Sequence, residues 1–212
     1  MKGYAKNYRV LLSDRRFMLY VVIKAVGIGL LYAYISSAPF IIQDHYGFSD
    51  SEFGLIFGGN ALLMGAGSML VLKFRVLKQG MVAGCIGMFV FAVAGAAALW
   101  SGAGFIWYEI FAAPMLGFSG MIFSSANTLS MEVGHAEAGT ASAVLSIVKY
   151  AFAAVVAPLV GIGDIMRSTA LMYVAVTSVA VILAIFAWRM KPLPDICLLY
   201  TSPSPRDPKT SR

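Results

Sequence analysis

The chain has 212 residues, of which 59% are hydrophobic and 12% charged, about half the charged share of an ordinary soluble domain. A water-soluble globule of this size cannot bury so much apolar surface, and a disordered chain needs low hydrophobicity and high charge. The net charge of +6 does not point to nucleic acid, because basic residues of membrane proteins gather in the loops on one side.

Residues 1–16 come first and carry Lys2, Lys6, Arg9, Arg15 and Arg16. Six apolar stretches follow, at Phe17–Ile42, Phe53–Leu72, Met81–Leu99, Gly104–Leu129, Gly139–Val160 and Ser168–Trp188. Each has about the 20 residues that a helix needs to cross a bilayer core of ~30 Å. Strands of an open sheet would leave backbone groups unpaired in lipid, so the spans are expected as helices. The expected fold is an all-α integral membrane protein, with six transmembrane helices over residues 17–190. The first span is too long for the apolar core of a secretory leader.

Orientation follows from Lys and Arg. Ten of them flank the first span, the loop Lys73–Lys78 and the end of the sixth span, whereas Arg167 stands alone on the other side. That bias places both ends in the cytoplasm. Residues 191–195 complete the cytoplasmic end. From Cys197 onward the string is rich in Pro and Ser and has no periodicity. Residues 196–212 read as the translation of a sequencing adapter, a non-native tail to be set aside, which implies a natural chain cut near Asp195.

Ionisable residues inside spans are costly, ~2.5–3.5 kcal/mol for a lysine at the centre, and mark functional candidates. Lys149, near the middle of span five, is expected to face the bundle interior on a substrate or proton path. Lys24, about two turns into span one, is expected to snorkel toward the headgroups more readily. Glu109, near the outer end of span four, suits proton exchange or a cationic ligand. Rise per residue puts Glu109 and Lys149 about 7–10 Å apart along the membrane normal, within range of a pair. Asn60, Ser36, Ser37, Ser124, Ser125 and Asn127 add polar groups to the spans. Tyr34, Phe118 and other aromatics are candidate pocket walls, although ordinary packing explains each one singly. The glycines of span two (Gly54, Gly58, Gly59, Gly65, Gly67) and span three (Gly80, Gly84, Gly87, Gly95) are expected to let helices approach closely. His45 and His135 lie in loops without partners at metal spacing, and two cysteines, Cys85 and Cys197, make neither a disulfide framework nor a zinc site. No metal and no cofactor is expected.

Two motifs bear on function. Gly117-Phe118-Ser119-Gly120 resembles the serine string of six-span intramembrane proteases. Their chemistry needs a histidine on the sixth span as base, and Ser168–Trp188 has none. The chain is therefore not expected to be an enzyme. Ser36-Ser-Ala38 near the end of span one returns as Ser124-Ser-Ala126 near the end of span four. Spans one and four run in opposite directions, as an inverted three-plus-three repeat requires.

Several strings in order resemble the C-terminal half of a major facilitator superfamily transporter. They are Arg9-Val-Leu-Leu-Ser-Asp-Arg-Arg16, Tyr34-Ile-Ser-Ser-Ala-Pro-Phe40, Tyr46-Gly-Phe-Ser49 with Phe53-Gly54, Ser124-Ser-Ala-Asn127, and Ala138-Gly-Thr-Ala-Ser142. Within that superfamily the chain is similar to the bicyclomycin- and chloramphenicol-resistance branch of drug:proton antiporters, over about residues 9–192. The resemblance implies half of a twelve-helix fold, with residues 1–16 as the cytoplasmic end of its central loop. It implies export of drug-like small molecules in exchange for protons. It also implies a missing N-terminal six-helix half as partner, besides the lipid bilayer. Spans one, two, four and five would line the cavity, which supports Tyr34, Asn60, Phe118 and Lys149 as candidates. The loop Lys73–Lys78 is basic but lacks the family's full Gly-Asp-Arg-Gly-Arg pattern. The competing expectation is a non-transporting six-span membrane component or a half-size assembly partner.

Overall fold

The computed structural model describes residues 2–190, with side chains from residue 8 onward. The described residues form seven α-helices: α1 (Lys2–Ser13), α2 (Arg15–Pro39), α3 (Asp50–Leu70), α4 (Leu77–Trp100), α5 (Phe105–Val133), α6 (Ala138–Val160) and α7 (Ile165–Arg189). The last six, with short π and 3₁₀ extensions, are each long and apolar enough to cross a membrane. They coincide with the six expected spans. They run a few residues further because a helix continues past the hydrocarbon wherever its ends can be capped.

The caps are chosen locally. The Asp14 carboxylate accepts from the backbone N–H of Arg16 and Phe17 and starts α2. Ser49 and Glu52 form a reciprocal capping box at the start of α3, which satisfies two otherwise orphaned donors. Asp164 accepts from the Arg167 N–H at the start of α7. Pro39 closes α2 and brings no N–H of its own, and Phe40–His45 continue as a π-helical turn. The three turns at the end opposite the lysine- and arginine-rich loops hold Gly47, Gly102 and Gly163 at positive φ, which a side chain rarely adopts. Residues 2–13, expected as the end of a loop, are helical, and Leu11 of α1 is buried beside Phe17 and Leu145. Residues 191–212, including the tail set aside above, lie outside the described residues.

The neighbours define the architecture. Helix α2 packs on α6 and α7, α5 packs on α3 and α4, α2 meets α5, and α4 meets α7. Exchanging α2, α3 and α4 for α5, α6 and α7 maps this pattern onto itself, so the inverted repeat suspected from one tripeptide is built into the packing. Ser37 and Ser125 occupy matching places. Both are buried, and each donates its hydroxyl to a carbonyl one turn back, Ala33 and Met121. Gly29 and Gly117 each stand seven residues before their Ser-Ser-Ala string. Gly29 leaves room for Phe152 of α6, and Gly117 offers its backbone to Gly67 of α3. The two halves of the repeat thus use the same device at equivalent crossings.

The glycine expectation divides. Gly67, Gly84 and Gly87 sit where a Cβ would strike a neighbouring helix, while Gly54, Gly58, Gly59 and Gly65 have nothing within 4 Å. Helix α3 is tied to the bundle mainly through α5 and shows much of its remaining surface. Lys78, counted above as a loop charge, is buried in the first turn of α4. Its Nζ donates to the Trp188 and Met190 carbonyls at 3.0 and 2.6 Å. A cation there satisfies orphaned carbonyls and meets the negative end of the α7 dipole.

Candidate functional site

Three of the residues singled out from sequence converge. Asn60 of α3 is buried and spends both amide hydrogens, one on the Tyr34 hydroxyl of α2 at 2.9 Å and one on Oε1 of Glu109 of α5 at 2.7 Å. An amide nitrogen has two hydrogens, so this bridge fixes its orientation. The Tyr34 ring stacks on Phe57, one turn before Asn60. Glu109 Oε2 is buried with no hydrogen-bond partner.

Two further tyrosines belong to this cluster and were not foreseen. Tyr108 and Tyr173 are fully buried with hydroxyls 3.3 Å apart. Glu109 lies within electrostatic reach of the hydroxyls of Tyr34, Tyr108 and Tyr173. The available signal was small: Tyr108 adjoins Glu109, and Tyr173 is a lone aromatic with a polar tip in an aliphatic span. An open carboxyl oxygen among hydroxyl groups suits a carboxyl that gains and loses a proton. An ionised oxygen buried without a hydrogen-bond donor is costly.

A second polar group lies toward the basic end. Lys24, for which snorkelling toward the headgroups was expected, is 7% exposed. Its Nζ donates to Asn127 Oδ1 of α5 at 2.6 Å and lies 5.1 Å from the Phe123 ring centre. Those partners lie on α5, which α2 contacts directly, so a neutral acceptor and a ring face hold the ammonium group within the bundle. Lys149 of α6 is half-buried, with Nζ 4.1 Å above the Tyr150 ring.

A Glu109–Lys149 pair, possible from the depth arithmetic alone, does not form, since Glu109 Oε1 is taken by Asn60 and the lysine lies over Tyr150. Asn127 and Glu109 are 18 residues apart on α5, about 27 Å of helix, so those two side chains occupy opposite halves of the bundle, with Lys149 near the middle of α6. Phe118 joins neither group. It stacks on Phe91 of α4 at 5.7 Å and fills the space over Gly87. Ser119, the serine of the protease-like string, is buried and donates to the Leu116 carbonyl at 2.7 Å, a bond within its own helix. No group of three metal-ligating side chains occurs among the described residues.

The chain is similar to an uncharacterised MFS-type transporter of Bacillus subtilis (strain 168), YdgK, with 31% identity over 170 residues. The match takes in 75% of this chain and 40% of the relative's length. No family model matches the chain. This weak homology supports membership of the major facilitator superfamily. With six membrane-spanning helices in an inverted repeat, the chain is a multi-pass membrane protein whose architecture is consistent with half of that fold.

Proposed function

We propose that this chain is the C-terminal six-helix half of a proton-coupled secondary transporter that exports drug-like small molecules. Its place is a bacterial-type inner membrane, with both ends cytoplasmic. The ten-to-one bias of basic residues supports the orientation, and the resemblance to drug:proton antiporters supports the direction. Helices α2, α3, α5 and α6 form the face toward the missing N-terminal half, and rocking of the halves about that face alternates access.

The observation that carries the coupling is Glu109. It is a carboxyl within the membrane span, held at one oxygen by Asn60 and open at the other. Glu109 takes a proton when its side of the face is open and releases it after the halves rock. Substrate and proton then occupy the face in turn.

The test is flux in proteoliposomes containing an internal pH dye, made with the chain alone and with a co-expressed N-terminal half. An imposed proton gradient should drive uptake of a drug-like solute against its gradient, with cationic ethidium and anionic phenyl phosphate as the two probes. Glu109→Gln should abolish gradient-driven uptake while leaving counterflow of the transported probe, which needs no net proton movement. Unchanged gradient-driven uptake in Glu109→Gln removes the carboxyl from the mechanism. No flux from either preparation favours the non-transporting six-span component or a half-size assembly partner.

A further inference from the structure

We infer that Lys24 and Lys149 form a binding site for the anionic group, a carboxylate or a phosphate, of the carried molecule. This deepens the transport reading and rests on it.

The helix crossing sets the two lysines at nearly one depth. Helices α2 and α6 run in the same direction and cross where Phe152 fills the space at Gly29. Lys24 stands five residues before Gly29, and Lys149 stands three residues before Phe152. On a rise of 1.5 Å per residue their depths differ by only about 3 Å. The charge of Lys149 acts on Lys24 across that gap.

Neither lysine meets a carboxylate in the contacts it makes. Lys24 bonds a neutral amide oxygen, and Lys149 lies over a phenol ring. The two carboxylates of α5 are engaged elsewhere. Glu109 is held by Asn60 in the opposite half, and Glu132 acts on Tyr20 and is acted on by His135. Two like charges at one depth in a membrane protein repel each other and are costly to desolvate. An anion seated between them relieves both penalties, and neither ammonium group gives up a carboxylate to meet it.

The surroundings also describe the rest of the ligand. Phe123 is partly exposed beside Lys24, and Tyr150 is 55% exposed beside Lys149. Two accessible rings flank the lysines, and Asn127 offers an amide next to them. An organic anion with a flat apolar body fits this set: its charge meets the lysines and its body lies on the rings. A bare inorganic ion would leave the rings unused.

The experiment is equilibrium binding to the chain in phosphatidylcholine nanodiscs, read by ligand-induced shifts in thermal unfolding. The probes are benzoate, phthalate and phenyl phosphate, each against a neutral counterpart (benzamide, phthalamide, phenol), with tetraphenylphosphonium as the cation. At least one anion is expected to bind about tenfold more tightly than its counterpart. Lys24→Gln and Lys149→Gln should each reduce that preference about tenfold, whereas Lys149→Arg should retain it. Circular dichroism establishes that each variant is folded, and the arginine variant keeps the test decisive if a glutamine variant is not.

Equal binding of every anion and its counterpart overturns the inference. So does an anion preference that survives both glutamine variants. Nanodiscs containing phosphatidylglycerol distinguish the source of the anion. Competition by that lipid assigns the lysines to a headgroup and overturns the substrate reading. Because binding is read without flux, a chain that binds anions but carries nothing refutes the transport proposal alone.

Discussion

Replacing Gly67 by alanine tests the α3–α5 crossing on which the Tyr34–Asn60–Glu109 bridge depends. A Cβ at position 67 would lie 2.6 Å from the Gly117 carbonyl carbon, and closer still to its oxygen. Carbon atoms in good contact are ~3.5–4.0 Å apart, so the helices must separate by about 1 Å. The obstacle is backbone and cannot rotate away. Overpacking of this kind costs about 1–3 kcal/mol. Alanine returns up to about 1 kcal/mol of helix propensity, which leaves a net loss of up to about 2 kcal/mol with the full return. Gly58 is the internal control, because nothing lies within 4 Å of its Cβ position. Gly58→Ala should be neutral or stabilising by up to about 1 kcal/mol. The assay is a sodium dodecyl sulfate titration of both variants followed by circular dichroism, with hydrogen exchange of α3 amides as a local readout. Equal effects of the two substitutions would refute the assigned crossing. Gly120→Ala, whose Cβ would strike the Met64 backbone, should combine with Gly67→Ala less than additively, because both part the same helices.

Asn60→Leu should remove two hydrogen bonds and expose the unpaired state of Glu109. Hydrogen bonds between membrane helices are worth about 0.6 kcal/mol on average and up to about 1.7, so a loss of about 1–3 kcal/mol is expected in the same titration. Lys78→Met should leave the Trp188 and Met190 carbonyls without their donor and cost about 1–3 kcal/mol. Its signature is faster hydrogen exchange confined to the last turn of α7 and the first turn of α4. The Tyr46 hydroxyl donates to the Ala103 carbonyl at 2.8 Å, and burial raises its pKa above the ordinary 10.0. The folded state therefore favours the protonated phenol. That stabilisation is complete below pH 10 and disappears as pH rises through the raised value. Tyr46→Phe should lower neutral-pH stability by about 0.5–1.5 kcal/mol and should flatten the alkaline loss, as seen in unfolding titrations at stepped pH.

The six spans were legible because burial in lipid depends on average hydropathy along 20 residues, a purely local quantity. The caps at Asp14, Ser49 and Asp164 were equally local, since a side chain reaches only the first turn of its own helix. Glu109 and Asn60 stood out as polar residues in apolar runs, but nothing in either run indicated that one bonds the other. The repeat was visible as a tripeptide, and its basis is a pair of buried serines and a pair of crossing glycines, Gly29 and Gly117, that no tripeptide conveys. Phe118 shows the limit of aromatic counting, because its ring fills the space over Gly87 and stays apart from the polar groups.

What the amino-acid sequence by itself determined is therefore the set of membrane-crossing segments, their order, and the charge difference between the two ends. The tertiary structure alone decided the rotation of each helix about its axis. In water that rotation is written as an amphipathic stripe. In lipid the outer face is as apolar as the core, so the stripe vanishes and packing of small residues sets the angle instead. That is why Gly67 could not be told from Gly58. It is also why Lys24 proved to be the more deeply buried lysine, and why Tyr108 and Tyr173 joined Glu109 without any sign in the hydropathy of their spans.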